Sequence, residues 1–420
     1  MKIGYACVNP ILPGSGFRKC RKNSADDKLL NELISYNIDA LESLIDHNIE
    51  KGIRLFRIGS DIIPFGSDDI NKLNWREDHA EGFARIGKKI RKSGMRVSMH
   101  PGQYTVLNSP DENTRKNAVK DIEYHCSVLD LLGTESSCKI ILHVGGAYGD
   151  KSKAASDFIK SFKELPDALH NRIVIENDDR IFNIGDVIEV AHECGIPAVF
   201  DNLHNEANPS EKRATDKYWI QKAADTWRSC DGVQKIHYSQ QDPGKRKGAH
   251  SERIDAEVFL DFCNESLPED KPDIMLEVKD KNLSAVKCIL CSQPDKHRIK
   301  HIEEEWSLYK YLILERSPAA YNAVRNLLKD KSSYPALEFY RITDEALSMT
   351  INRMNARNAA LHVWGYFKGK ADESERKRFF RSLDAYCDGS TDKQSYKTVL
   401  SELALKYEQH FIRRSYYLFL

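Results

Sequence analysis

No apolar run in this sequence approaches the roughly 18 residues that a membrane-spanning helix needs, so a bilayer-crossing role is excluded. Hydrophobic residues make up 41% and charged residues 30%, the balance of a globular chain able to bury a core. Net charge is missing as well. Lys+Arg and Asp+Glu stand at 63 each, and a polyanionic partner would have to be met by a local basic patch. The ten cysteines follow no framework spacing, and the single CxxC, Cys288 to Cys291, has no second pair; neither a disulfide scaffold nor a metal or redox role is expected of them. Repeats and low-complexity tracts are absent. The opening Met1-Lys2-Ile3-Gly4-Tyr5 enters a strand with no leader-like apolar stretch, which predicts a cytoplasmic chain.

What is present is alternation. Short apolar runs at 2–7, 54–58, 95–100, 139–144, 172–176, 197–201, 234–238 and 273–278 read as strands. Helical spacing fills the intervals, first over 27–50 (Leu30, Leu33, Ile34, Ile38, Leu41, Leu44, Ile45, stopped by Gly52), then over 75–92, 113–132 and 185–194. Eight strand–helix units predict an α/β chain of (β/α)₈ TIM-barrel type over residues 1–295, and 420 residues leave room beyond a barrel of about 250. Ser292-Gln293-Pro294-Asp295 reads as a polar link. Past it the pattern is helical only, at 303–314, 319–330, 343–366, 373–387 and 393–412, which predicts a smaller all-α domain over 303–420.

Six strand ends carry metal-capable side chains: His100, His143, Glu176, Asp201 with His204, His237 and Glu277. His250 follows in the loop after the seventh strand. A barrel gathers such ends at one mouth, where its chemistry resides. The mixed nitrogen and oxygen set suits Mn²⁺, Zn²⁺ or Fe²⁺ and disfavours Mg²⁺ alone or a thiolate site. Eight ligands exceed the needs of one ion, so two or three ions are expected, with Glu176 as a bridge. Closely spaced ions suit phosphodiester cleavage.

Lys235 stands two residues before His237, on the same strand face. An ammonium there opposes a cation cluster. The lysine is therefore neutral, or carboxylated by CO₂ into an anionic ligand, or aimed at a DNA phosphate; a solvated rim lysine is the plain alternative. Gln103 and Tyr104, on the turn opened by Pro101-Gly102, form an amide and aromatic pair able to enter a duplex and stack on a base, against the plain reading of a buried loop tyrosine. Lys245, Arg246, Lys247 and Arg253 would supply phosphate contacts. Tyr5 and Asn9 put an aromatic and an amide at the exit of the first strand. His125, mid-helix, reads as a core or surface histidine, and the stripe His362, Trp364, Tyr366, Phe367 as helix core rather than a stacking platform.

At these residues the sequence resembles the UV damage endonucleases. The segments that carry the likeness are GYACVN at Gly4, FRIGSDIIPFGS at Phe56, SMHPGQY at Ser98, ILHVGG at Ile141, IEND at Ile175, FDNLHNE at Phe200, KIHYSQQDPGKRKGAHSERID at Lys235 and IMLEVKDK at Ile274. The resemblance implies a barrel with about three ions, Mn²⁺ first, that nicks damaged double-stranded DNA immediately 5′ to cyclobutane dimers and 6-4 photoproducts without ATP or another nucleotide cofactor. The nick leaves a 3′ hydroxyl for repair synthesis. It further implies a cytoplasmic, nucleoid-associated enzyme, with Glu176 and Lys235 as catalytic groups, Lys235 as the carboxylated lysine, Gln103 and Tyr104 as the pair inserted opposite the lesion, and Tyr5 and Asn9 near the incised phosphate. One departure stands out: Asp68 follows Ser67 where the family usually carries histidine, so a carboxylate replaces an imidazole at a candidate ligand position.

The tail resembles the YbgA-type domain through YKYLILERSPAAY at Tyr309, ALHVWGYFKG at Ala360 and the stretch after Gly389; no role follows from that. Competing readings are an abasic-site endonuclease of the endonuclease IV type, which presents Asp-x-His where this chain has Gly248-Ala249-His250, and a two-metal sugar isomerase, which needs no Gln103-Tyr104 loop. A non-enzymatic scaffold draws support only from Asp68.

Overall fold

Strands buried from end to end are what a parallel sheet covered by helices requires, and the apolar runs of the sequence form such strands: β1 (Ile3–Ala6), β2 (Leu55–Ile58), β3 (Arg96–Met99), β4 (Ile140–His143), β5 (Ile173–Glu176), β6 (Ala198–Val199), β7 (Lys235–Tyr238) and β8 (Asp273–Leu276). The computed structural model describes residues 1–294 and 297–420, so Asp295 of the expected link lies outside the described residues. By its contacts the chain divides into two compact units, Met1–Ile289 and Leu290–Leu420.

In the first unit the sheet runs β6-β5-β4-β3-β2-β1-β8-β7, every neighbouring pair parallel. A bridge between Asp201 and His237 closes it into a ring, with His237 N–H donating to the Phe200 carbonyl at 2.9 Å. The expected strand at 197–201 shrinks to two ladder residues. Pro197 has no N–H to donate, and the Asp201 side chain turns the chain into the next helix by accepting from His204 N–H at 2.8 Å. Gly4 is required where β1 meets β2: a Cβ there would lie 1.8 Å from the Leu55 carbonyl oxygen.

Side chains alternate across each strand. Ala6, Leu55 and Met275 pack together within the ring, as do Ile141, Val174 and Val199. The opposite set, with Tyr5, Phe56 and Leu276 in register, faces the helices. Among these the helix Asp27–Glu50 buries Leu30, Leu33, Ile34, Ile38, Leu41, Leu44 and Ile45, the expected apolar stripe, and Asp26 caps it. The expected helix at 75–92 is two pieces, Trp75–Asp78 and Ala80–Ser93. His125 is a core histidine: it is 1% exposed and its Nδ1–H donates to the Asp121 carbonyl at 2.6 Å.

The second unit is helical. The helix expected over 343–366 is two helices, Ala336–Ser348 and Arg353–Trp364. Between them Met349 is extended, and Asn352 starts the second by accepting from Met354 and Asn355 N–H; such local side-chain bonding favours a cap over continued helix. Likewise 393–412 breaks after Lys406, and His410–Arg414 follows. Trp364 stacks on Phe379 at 4.6 Å and Phe367 is buried, so these two of the stripe pack the core, while Tyr366 is half-buried and His362 is exposed. A buried ion pair, Lys397 to Glu315 at 3.0 Å, lies inside this core. No helix among the described residues is long and apolar enough to cross a membrane.

Candidate metal centre

The strand order brings β3 through β8 round to one rim, and with them the side chains at their C-terminal ends. Glu176, at the end of β5, is 1% exposed. Its Oε1 lies 2.7 Å from His237 Nδ1, and its Oε2 lies 3.2 Å from His100 Nε2. Two ligand groups result, His100–His143–Glu176 and Glu176–Asp201–His237, and in each the ligand atoms lie within 4.8 Å of one another. Glu176 belongs to both. Around them stand His204 Nδ1, 3.6 Å from Glu176 Oε1, Glu277 Oε1, 3.4 Å from His237 Nδ1, and His250 Nε2, 3.8 Å from Glu277 Oε2. All eight candidate ligands therefore meet in one place.

Backbone groups fix which ring nitrogens face inward, as partners beyond the ligand shell do in metal sites. His204 Nδ1–H donates to the Asn177 carbonyl at 2.8 Å, and His100 Nδ1–H to the Pro101 carbonyl at 3.1 Å. The fit to a cation shows in what is left over. Asp201 spends Oδ1 on its helix cap, while its buried Oδ2 and the buried His143 Nδ1 have no hydrogen-bond partner. Buried polar atoms are normally satisfied, and nitrogen and carboxylate oxygen donors in this mixture suit a divalent transition ion.

Electrostatics point the same way. Burial alone would raise the Glu176 carboxyl, but the imidazoles of His237, His100 and His143 hold it well below the usual carboxylate range. Asp201 is pushed up to about 7 by burial, with Glu176 and Glu277 adding to the effect against His204. Burial would lower His204, yet the carboxylates of Asp201, Glu176 and Glu277 lift it to about 9. His237 is lowered to about 4 by burial and by Arg57, against Glu176.

With the geometry in place, comparison with known proteins decides the family. The sequence model described as UV-endonuclease UvdE matches residues 2–307. The chain belongs to the UV-endonuclease UvdE family. A UV DNA damage endonuclease of Clostridium perfringens (strain 13 / Type A) is 42% identical over 352 residues, 83% of each chain. One from Bacillus cereus (strain 03BB102) is 31% identical over 276 residues, 66% of this chain and 86% of the relative. The crystal structure of SacUVDE superposes with a TM-score of 0.66 at 33% identity, covering 70% of this chain and 99% of that one. Residues 310–420 match a family described as a protein of unknown function, DUF1722.

Not every expected residue of this UvdE-family chain joins the centre. Tyr5 is fully buried on the helix side of β1, edge-on to Phe56 at 5.2 Å, with its hydroxyl donating to Asn48 Oδ1 at 2.9 Å. Its strand parity turns its ring toward the helices and away from the mouth. Asn9 is buried and accepts from Ile11 N–H at 3.1 Å. Asp68 is held by Lys22 at 2.7 Å and by Ile70 N–H at 3.1 Å; it lies outside both ligand groups, and its carboxylate is already used. Lys235, by contrast, is inside the ring beneath His237. It is 1% exposed, its Nζ has no hydrogen-bond partner, and burial together with Arg96 and Arg57 holds it well below the usual lysine range. A solvated rim lysine is thereby ruled out.

The loop after β3 lifts Tyr104 to 80% exposure, with Gln103 exposed beside it. Its base is anchored, since buried Thr105 donates to Asp121 Oδ2 at 2.5 Å and its N–H donates to the Gly102 carbonyl at 3.0 Å. The reading of a buried loop tyrosine is therefore excluded. Lys245, Arg246 and Lys247 are exposed and Arg253 is half-buried; Lys245 is shared with Asp242 at 3.2 Å and Glu252 at 3.5 Å. Two residues at the centre escaped the sequence reading. Arg57 Nη2 lies 2.5 Å from Glu277 Oε1 and 3.1 Å from His237 Nε2. Asn177 brackets Asp201, accepting its N–H at 2.9 Å and donating to its carbonyl at 3.1 Å. A signal for each existed: Arg57 shares the face of Leu55, and Asn177 directly follows Glu176.

Proposed function

We propose that this chain nicks double-stranded DNA immediately 5′ to cyclobutane dimers and 6-4 photoproducts by metal-assisted phosphodiester hydrolysis, without ATP, and leaves a 3′ hydroxyl. The observation that carries the reading is the sharing of buried Glu176 between two ligand groups, the arrangement expected where neighbouring ions act on one phosphate. When bound, two to three divalent ions, Mn²⁺ first with Zn²⁺ or Fe²⁺ as alternatives, supply the acidification of a water and the neutralisation of phosphate charge.

The chain's own residues do the rest. His100, His143, Glu176, Asp201, His204, His237, His250 and Glu277 hold the ions. Asn177 and the Pro101 carbonyl keep their ligands oriented, and Arg57 balances the charge of Glu277. Lys235, a buried amine without a hydrogen-bond partner, is the group that CO₂ would carboxylate, adding an anion beneath the cluster. Gln103 and Tyr104, raised on an anchored loop, enter the duplex at the lesion, while Lys245, Arg246, Lys247 and Arg253 take phosphates. Residues 1–295 carry this activity and 303–420 form a separate helical domain; the enzyme works in the cytoplasm at the nucleoid.

Purified protein with Mn²⁺ is incubated with one end-labelled, UV-irradiated duplex and one abasic duplex, and the nick is mapped. A cut immediately 5′ to the photoproduct with an extendable 3′ end is expected. Cutting of the abasic duplex alone would replace this reading with an abasic-site endonuclease.

A further inference from the structure

A second exposed aromatic stands on a loop that is hydrogen-bonded to the loop of Tyr104. Tyr148 belongs to the loop that leaves β4 after His143, and 53% of it is exposed. Its backbone φ is +48°, in the left-handed region that glycine or asparagine occupies far more readily than a bulky aromatic. Glycines flank it at Gly145, Gly146 and Gly149, so the loop places its one large residue at a strained position and leaves it open to solvent. Strain retained in this way clusters at functional sites.

The ring has a built seat. A Cβ on Gly146 would lie 2.8 Å from Tyr148 Cζ, so the absence of a side chain at Gly146 is what lets the ring lie there. The loop is then tied down at three points. Asn108 Nδ2 donates to the Gly146 carbonyl at 2.8 Å, Asp150 N–H donates to the Ala147 carbonyl at 2.9 Å, and the Asp150 side chain caps the helix Lys151–Lys163 by accepting from Lys153 N–H at 3.0 Å. Asn108 lies in the same loop as Gln103 and Tyr104. The loops that carry the two exposed tyrosines are therefore fastened to each other above His100 and His143.

We propose that Tyr148 is a second base-stacking aromatic of the rim, which takes a nucleobase unstacked from the damaged duplex while Tyr104 occupies the lesion gap. The inference rests on the reading of the site as a UV-damage endonuclease and assigns this residue a part in substrate recognition. Stacking on an aromatic face is sequence-tolerant, as an enzyme that must act beside photoproducts in any context requires. Two anchored prongs on neighbouring loops hold the duplex open from separate points.

The test is fluorescence anisotropy of a labelled duplex, irradiated or not, with Mn²⁺-loaded protein and a non-hydrolysable linkage 5′ to the single dipyrimidine so that no strand is cut. Tyr148→Ala should weaken binding to the irradiated duplex about tenfold, and Tyr148→Phe, which keeps the ring, should stay within about twofold of wild type. Tyr148→Gly relaxes the backbone; it should lose binding as the alanine variant does yet melt no lower than wild type, a combination that a purely structural role would not give. Gly146→Ala, by pushing the ring from its seat, should fall between. Wild-type affinity in Tyr148→Ala, or a loss in Tyr148→Phe equal to that of alanine, would overturn this proposal alone. Wild-type protein that binds both duplexes equally would overturn the endonuclease reading with it.

Discussion

The barrel carries a charged layer at each end, and the two differ in one respect: the floor is satisfied and the mouth is not. At the floor Arg96 donates to the Ser137 carbonyl at 2.8 Å, the Val233 carbonyl at 2.6 Å and Asp273 Oδ2 at 3.1 Å. Lys139 donates to the Asn171 carbonyl at 2.6 Å and Asp231 Oδ1 at 2.5 Å. Arg172 meets Asp130 at 2.7 Å and the carbonyls of Glu135 and Cys138. At the mouth, Asp201 Oδ2, His143 Nδ1, Arg57 Nε and, just beneath, Lys235 Nζ are buried without partners. A buried charge is tolerated when paired and hydrogen-bonded, so the floor reads as stability. Unmet valence at the mouth reads as binding capacity, in agreement with the general division of labour in such barrels.

The comparison can be broken most severely at Glu176. Replacing it by alanine removes a ligand common to both groups; metal content by elemental analysis and incision should be lost together, the latter by several kcal/mol, on the order of 10³-fold, while the thermal unfolding cooperativity persists. Retention of metal and nicking would dismantle the cluster. At the floor, Asp231→Asn strips Lys139 and Arg228 of their shared counter-charge and replaces one of its two acceptor oxygens by a donor. We expect a loss of about 3 kcal/mol in denaturant unfolding, the penalty for stranding one member of a buried pair, with bound metal unchanged. Metal loss without destabilisation would reverse the two assignments.

Acidity separates the ends in a second way. Asp231 is held at about 2: burial opposes ionisation, but Arg228 and Lys139 overcome it. Its folded pKa lies below the unfolded value near 3.9, so its stabilisation is complete above about pH 4 and is lost as pH falls through about 2. Asp201 behaves oppositely. Its pKa is raised to about 7, so in metal-free protein its contribution is present below the unfolded pKa and disappears as pH rises through about 7. Metal binding must displace that proton, and calorimetric titration with Mn²⁺ should show affinity increasing through about pH 7 with proton release. Constant affinity across that range would contradict the assignment of Asp201 as a ligand. The smallest effect is expected from Tyr104→Ala, which should cut the preference for irradiated over intact duplex about tenfold and leave metal content as it was; an unaltered preference in a competition binding assay would remove the wedge role.

Much of the mouth was legible because a strand's C-terminal residue is a fixed address. His100, His143, Glu176 and His237 each end or follow an apolar run, and a parallel barrel sends all such ends to one rim. The floor was not legible. Arg96, Lys139, Arg172 and Asp273 stand at strand starts, where a charged residue looks like any solvated loop boundary until the ring closes and buries it. The facing of Tyr5 was not legible for a related reason: Ile3 to Ala6 is buried on both faces, and a run without alternation does not tell core from helix side. The helix expected at 343–366 failed on local chemistry, where Asn352 caps a new helix that periodicity alone ran through.

Sequence by itself determined the kinds of donor available and the ends of the strands that deliver them, since both depend on side-chain chemistry and on a period of two that is local to each run. Only the tertiary structure decided which donors lie within reach of one another, that Arg57 sits on Glu277 and His237, and that Lys235 Nζ has no hydrogen-bond partner. Those are distances between strands remote in the chain, and they are set by barrel closure at Asp201 and His237 rather than by any segment alone.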